Sequence, residues 1–276
     1  MQDKNSITLD DVTIRLAGPT DLPVKWVGQE EVMKQLLAAW MVLDEKDLPL
    51  NPRLVGKPGV GKTTLAYAAA KRLGRPVYLF QATMDTRPED LVITPVIGPH
   101  NEIQYIGSSI VSAAVQGGVC ILDEGNRMSE KAWASLAPLL DIRRYVESLV
   151  AGVKIYAHPD FRFVTTMNDD ASTYDLPEYI HSRLQPQIYI DFPEEDEERR
   201  ILKANVPFAN EEILRYVLRF LARAHEADER YTVRDGINIA RYAMKLLDSG
   251  GGENDAVIHK AIRLILGEEA IPYAEP

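Results

Sequence analysis

Apolar positions along the chain change their spacing twice. From residue 53 to residue 190, short apolar, partly β-branched runs at 53–55, 77–80, 119–122, 161–166 and 187–190 predict five strands. Between them, residues 63–73, 107–116, 129–140 and 177–184 carry helical spacing. The strands are therefore joined by crossovers and predict a parallel sheet covered on both faces. Upstream, Val32, Leu36, Leu37 and Trp40 predict an approach helix within 26–43. After Phe192-Pro193 no strand pattern recurs, and helices are predicted at 194–204, 210–227, 232–248 and 254–266. The pattern divides the chain into an N-terminal segment, 1–25, an α/β core, 26–192, and an all-helical region, 193–276. Two pairs of short apolar runs interrupt the core, 92–97 with 102–106 around Gly98-Pro99-His100-Asn101, and 144–147 with 154–156 around Gly152. Each predicts an inserted hairpin, with a plain surface hairpin as the alternative.

Composition narrows the classes. With 46% hydrophobic and 26% charged residues the chain is an ordinary folded protein. Its 31 basic and 41 acidic residues give a formal net charge of -10, which disfavours a basic nucleic-acid face. Residues 103–122 are uncharged over about the length of a membrane span, yet Gln104, Gln116, three serines and three glycines exclude one. A single cysteine, Cys120, and the polar start MQDKNSITLD predict a reducing, cytoplasmic setting. The acidic run 194–198 reads as an ordinary first helical turn, with Glu195/Arg199 and Asp196/Arg200 as i,i+4 pairs.

The chemistry is carried by Gly56-Lys57-Pro58-Gly59-Val60-Gly61-Lys62-Thr63, followed by Thr64, which satisfies G-x-x-x-x-G-K-[ST] between a predicted strand and helix. Such glycines turn backbone N–H groups onto phosphates, Lys62 supplies charge to the β- and γ-phosphates, and the Thr63 hydroxyl reaches Mg²⁺. Val119-Cys120-Ile121-Leu122 predicts a buried strand ending in Asp123-Glu124. Parallel strands present ligands at their carboxyl ends, so Asp123 is expected beside Thr63 in the Mg²⁺ shell and Glu124 at the attacking water. An Asp-Glu pair alone also ends strands where it merely caps a helix. Phosphate recognition does not distinguish ATP from GTP.

Together these motifs resemble an AAA+ ATPase over about residues 26–247. Asp123-Glu124-Gly125-Asn126-Arg127 is similar to the D-E-x-N-R signature of the MoxR family, and Thr173-Tyr174-Asp175-Leu176-Pro177-Glu178 to its T-Y-x-L-P-E segment. Ala157-His158-Pro159-Asp160-Phe161 resembles the CbbQ/NorQ branch, activases for rubisco and nitric oxide reductase. The resemblance implies an α/β P-loop NTPase fold, a parallel-sheet αβα core with a C-terminal all-helical lid, using ATP and Mg²⁺. By position, Asn168 matches sensor 1, Arg183 the arginine finger that reaches a neighbouring subunit, and Arg234 sensor 2. Ser182 and Leu184 stand where the family often has Asp and an aromatic. The two hairpins fall where the family carries its helix-2 insert and its pre-sensor-1 hairpin. The implied partners are further copies in a hexameric ring and a protein client, in this family commonly with a von Willebrand factor A domain, with no direct contact to nucleic acid. The alternative is an ATP- or GTP-driven subunit of a nucleic-acid-processing or phage-defence complex, and a third reading is a nucleotide-gated scaffold with little hydrolysis.

Overall fold

β-Branched and aliphatic runs set the strands of the first of two units in the computed structural model, formed by the described parts of 1–24, 31–56 and 62–189. The structure describes residues 5–24, 26–169, 176–250 and 252–274; Thr173, Tyr174 and Asp175 of the T-Y-x-L-P-E segment lie outside them. In chain order the elements are β1 (Ser6–Leu9), β2 (Val12–Arg15), α1 (Glu30–Ala39), β3 (Arg53–Gly56), α2 (Lys62–Arg72) and β4 (Val77–Gln81). Next come α3 (Pro88–Leu91), β5 (Ile93–Ile97), β6 (Ile103–Gly107), α4 (Ser109–Gln116), β7 (Val119–Asp123) and α5 (Glu130–Leu136). The unit closes with β8 (Tyr145–Ser148), β9 (Val153–Tyr156), β10 (Arg162–Asn168), α6 (Glu178–His181) and β11 (Gln187–Tyr189).

The five predicted strands form one sheet in the order β11-β3-β10-β7-β4, and each pairing is parallel. Every residue of β10, and β7 from Val119 to Leu122, is buried, as strands covered on both faces must be. Register does the positioning: Gly56 stands opposite Asn168, and Leu122 opposite Thr165, so β3 and β10 end together and Asp123 closes β7 at the level of Thr166. Trp40, Trp133, Phe161 and Phe163 are fully buried, and the Trp40 indole donates to the Phe163 carbonyl at 2.9 Å.

Both inserted hairpins are present, β5 against β6 and β8 against β9, each antiparallel. The N-terminal segment is more structured than its sequence pattern indicates. β1 and β2 pair antiparallel, and β2 adds parallel to β6, giving a four-stranded sheet β1-β2-β6-β5. The turn between β1 and β2 uses Asp10 and Asp11 at positive φ (46° and 65°), a conformation aspartate tolerates without the usual Asn-Gly signal. Three helices are shorter than their periodicity predicts. The approach helix begins only at Glu30, after Gln29 at positive φ, and α5 stops at Leu136, two residues before Pro138. The third, α6, spans Glu178–His181, with backbone bonds from Arg183 and Leu184 to Ile180 continuing the turn.

The second unit comprises the described residues of 25–30, Lys57–Gly61 and 190–276. Its helices α7 (Glu195–Asn205), α8 (Glu211–Glu226), α9 (Val233–Asp248) and α10 (Asn254–Leu266) lie at the predicted positions. They bury Leu202, Val217, Phe220, Leu221, Ile239, Ile258 and Ile262 in one core. Asn210 caps α8 by accepting from the Ile213 N–H at 2.8 Å, and Asp235 accepts from the Thr232 N–H at 2.8 Å at the start of α9. The expected i,i+4 pairs of α7 are replaced. Arg199 pairs with Glu211 at 3.2 Å and Arg200 with Glu197 at 3.5 Å, while Glu197 also takes the Gln29 N–H at 2.8 Å and Glu198 is buried. No helix among the described residues is long and apolar enough to cross a membrane.

Candidate active site

The phosphate loop leaves β3 at Gly56 and enters α2 at Lys62. Gly59 and Gly61 hold φ of 89° and 96°, which only glycine adopts without strain. Each is also crowded: a Cβ on Gly59 would stand 2.6 Å from Thr232 Oγ1, and one on Gly61 would stand 3.1 Å from the Trp26 ring. Neither position admits a side chain, so the loop backbone is the surface presented. The first turn of α2 holds no acidic residue, leaving its N-terminal N–H groups and dipole to an anion. Lys62 is buried, and its ammonium donates to the Gly56 carbonyl at 2.8 Å, folding its stem across the loop. Lys57 lies over the Phe192 ring at 4.6 Å and 3.6 Å from Asp228. Pro58 and Val60 complete the loop, and Thr64 follows in the first turn of α2.

At the end of β7, Asp123 Oδ1 accepts from Thr63 Oγ1 at 2.6 Å, and the same oxygen accepts from the Thr166 hydroxyl on β10. The Thr63 and Asp123 oxygens form a hard donor pair of the kind Mg²⁺ takes alongside phosphate oxygens, so these residues fit that cation. Thr166 Oγ1 also accepts from the Glu124 N–H at 3.0 Å. One hydroxyl thus fixes both carboxylate residues, and the sequence reading did not single it out. Glu124 takes a left-handed conformation (φ 55°), which turns its side chain out of the strand alternation as the chain enters a 3₁₀ turn at Gly125. There the carboxylate lies 3.5 Å from Asn168 Nδ2 and 2.6 Å from Arg127 Nε. Asn126 in turn donates to the Asn168 carbonyl at 2.8 Å. Asn126 and Arg127 of the D-E-x-N-R run therefore brace the Glu124–Asn168 pair. Cys120 is fully buried in β7, and burial pushes its thiol pKa far up, so it is a small apolar filler.

The other two candidates are carried by different elements. Arg183 follows α6; its guanidinium bonds Asp141 and the Tyr179 carbonyl and is a quarter exposed. Arg234 is exposed at the second residue of α9, in the second unit, two residues from the Thr232 side chain that abuts Gly59.

A glycine turn between a parallel strand and a helix, with a hydroxyl and a carboxylate meeting at the end of the next strand but one in the sheet, defines the P-loop AAA+ fold. Residues 53–184 match the family model described as AAA domain, dynein-related subfamily. The fold is similar to that of the Holliday junction branch migration motor RuvB of Thermotoga maritima, with a TM-score of 0.60 and 17% identity over 89% of this chain and 72% of that one. An uncharacterized protein of Staphylococcus epidermidis is 25% identical over 175 residues, 62% of this chain and 66% of its own length. A second, from Staphylococcus aureus, is 24% identical over 179 residues, 63% of this chain and 68% of its own. The chain spans about two thirds of these relatives.

Proposed function

We propose that the chain is a MoxR-type ATPase that assembles into a ring, a hexamer by family resemblance, and uses ATP turnover to remodel or activate a protein partner. The observation that carries the chemical half is the Thr63–Asp123 contact of 2.6 Å beside the Glu124–Asn168 pair. In this reading Lys62 binds the β- and γ-phosphates, Glu124 polarises the attacking water and Asn168 orients it. Mg²⁺, held by Thr63 and Asp123, would neutralise phosphate charge when bound. Arg183 reaches the nucleotide of the neighbouring copy, and Arg234 reads nucleotide state from the start of α9. The resemblance also suggests a von Willebrand factor A domain protein as partner.

Support for a protein client comes from the net charge of -10 and from the β5–β6 hairpin, whose tip exposes Ile97 (77%) and Ile103 (66%). Exposed aliphatic residues at a hairpin tip suit a protein surface better than phosphates. The fold likeness to a DNA branch migration motor supports the second reading, a nucleic-acid-processing subunit. Replacing residues 97–102 by a short Gly-Ser turn separates them. Basal ATP turnover is expected to stay within about twofold, since the hairpin belongs to a different sheet from β3 and β7 and carries none of the site residues. An electrophoretic shift assay at about 150 mM salt is expected to show no tight DNA binding. Tight binding by the unaltered chain would replace the client reading by the motor.

A further inference from the structure

We infer that Asp141 is the positioning residue that aims the Arg183 guanidinium, a role that rests on Arg183 acting as the finger proposed above. Asp141 Oδ2 accepts from Arg183 Nε at 3.2 Å and Nη2 at 3.1 Å, while Arg183 Nη1 donates to the Tyr179 carbonyl, one turn back, at 2.6 Å. A guanidinium has five N–H groups in one plane. Asp141 takes Nε and Nη2, and the Tyr179 carbonyl takes one hydrogen of Nη1. One hydrogen on each Nη remains, two donors for the oxygens of a phosphate. Held at all three nitrogens, Arg183 keeps those two donors for an anion.

The backbones that carry the pair are stapled to each other. Asn51, in the loop before β3, donates from Nδ2 to the Leu140 carbonyl at 2.9 Å and to the Arg183 carbonyl at 3.4 Å. The residue before Asp141 and Arg183 itself are thus tied to the strand that starts the phosphate loop. Asp141 also holds Arg143, through Oδ1 to its N–H and Nε at 3.0 Å each and Oδ2 to its Nη2 at 2.8 Å. One carboxylate therefore separates two cations that would otherwise repel. Hydrogen bonds from Arg143, then from Arg183, hold its carboxyl at about 2, so the contact stays ionised through the neutral range.

The alternative is that Asp141 is only a surface ion pair, worth well under a factor of ten in folding equilibrium. A double-mutant cycle on the full chain decides between them. Asp141→Asn is near-isosteric and should fold, which unchanged binding of a fluorescent ATP analogue verifies. It is expected to lower kcat for ATP turnover about ten- to a hundredfold with KM unchanged, the cost of a misaimed group. Asp141→Glu keeps the charge but shifts the carboxylate by a methylene and should not restore the rate. Combined with Arg183→Ala, the Asn substitution should add no further loss, because no guanidinium is left to aim. Full additivity, a wild-type rate for Asp141→Asn, or full rescue by Glu would overturn the aiming role. Wild-type turnover by Arg183→Ala alone would instead remove the finger itself, and the aiming role with it.

Discussion

Thr166→Val is the sharpest probe of how the sheet end is held. The substitution preserves shape and β-branching but deletes the hydroxyl that donates to Asp123 Oδ1 and accepts from the Glu124 N–H. A neutral hydrogen bond contributes about 1 kcal/mol net and one to a charged group about 1.5–3 kcal/mol. The two together should destabilise the chain by about 2–4 kcal/mol, with the Glu124 N–H left unpartnered at the sheet end. Asp123 would keep Thr63 as a hydroxyl partner, so its orientation is loosened rather than lost. Groups that orient a metal-binding carboxylate typically matter ten- to a hundredfold in metal affinity or activity. The assay is urea unfolding followed by tryptophan fluorescence, alongside a Mg²⁺ titration of steady-state ATP turnover. Thr166→Ser, which keeps the hydroxyl, should retain the Mg²⁺ dependence of the unaltered chain. If the Val variant matches the unaltered chain in both unfolding midpoint and Mg²⁺ requirement, Thr166 is not what fixes the two acids.

Gly125→Ala would press its methyl into Thr165 Oγ1 and to 3.0 Å from the Trp133 ring, so about 1–3 kcal/mol of stability and a reduced turnover should go together in unfolding and rate measurements. In the second unit, burial first and the neighbouring Glu195 second push the Glu198 carboxyl from its usual value near 4.5 up to about 7. The buried Oε1 lies 3.9 Å from His225 Nδ1, and His225 Nε2 bonds the Tyr231 carbonyl at 2.7 Å. The folded state binds this proton more tightly than the unfolded one, so stability is lost as pH rises from about 4.5 to about 7, in total about 3 kcal/mol. Glu198→Gln should remove that slope. Denaturation midpoints at pH 5 and pH 8 check it, and an identical pH dependence in both proteins contradicts it.

The phosphate loop was legible because its chemistry leaves little choice: two backbone turns that need glycine, one cation and one hydroxyl at fixed spacing. The five core strands were legible as well, since burial on both faces demands uninterrupted apolar runs such as Val119 to Leu122. Thr166 was not, because a buried threonine in a strand looks the same whether or not its register brings it to a neighbouring carboxylate. Asp141 lies 42 positions from Arg183, in a loop with no periodicity, and only the fold brings the pair together. Glu198 sits in an acidic run that reads as an ordinary first helical turn, and nothing local shows that one member faces inward. The N-terminal hairpin was hidden by strands of four residues and a turn built on two aspartates.

The proposed role of Glu124, set at the end of β7 against Asn168 and Arg127, is to polarise the water that attacks ATP. Glu124→Gln keeps the shape and removes the charge that polarises water. Equilibrium binding of a fluorescent ATP analogue with Mg²⁺ should be unchanged, while single-turnover hydrolysis slows at least roughly a hundredfold. Retained binding with near-normal turnover would contradict the account and move the base to another residue.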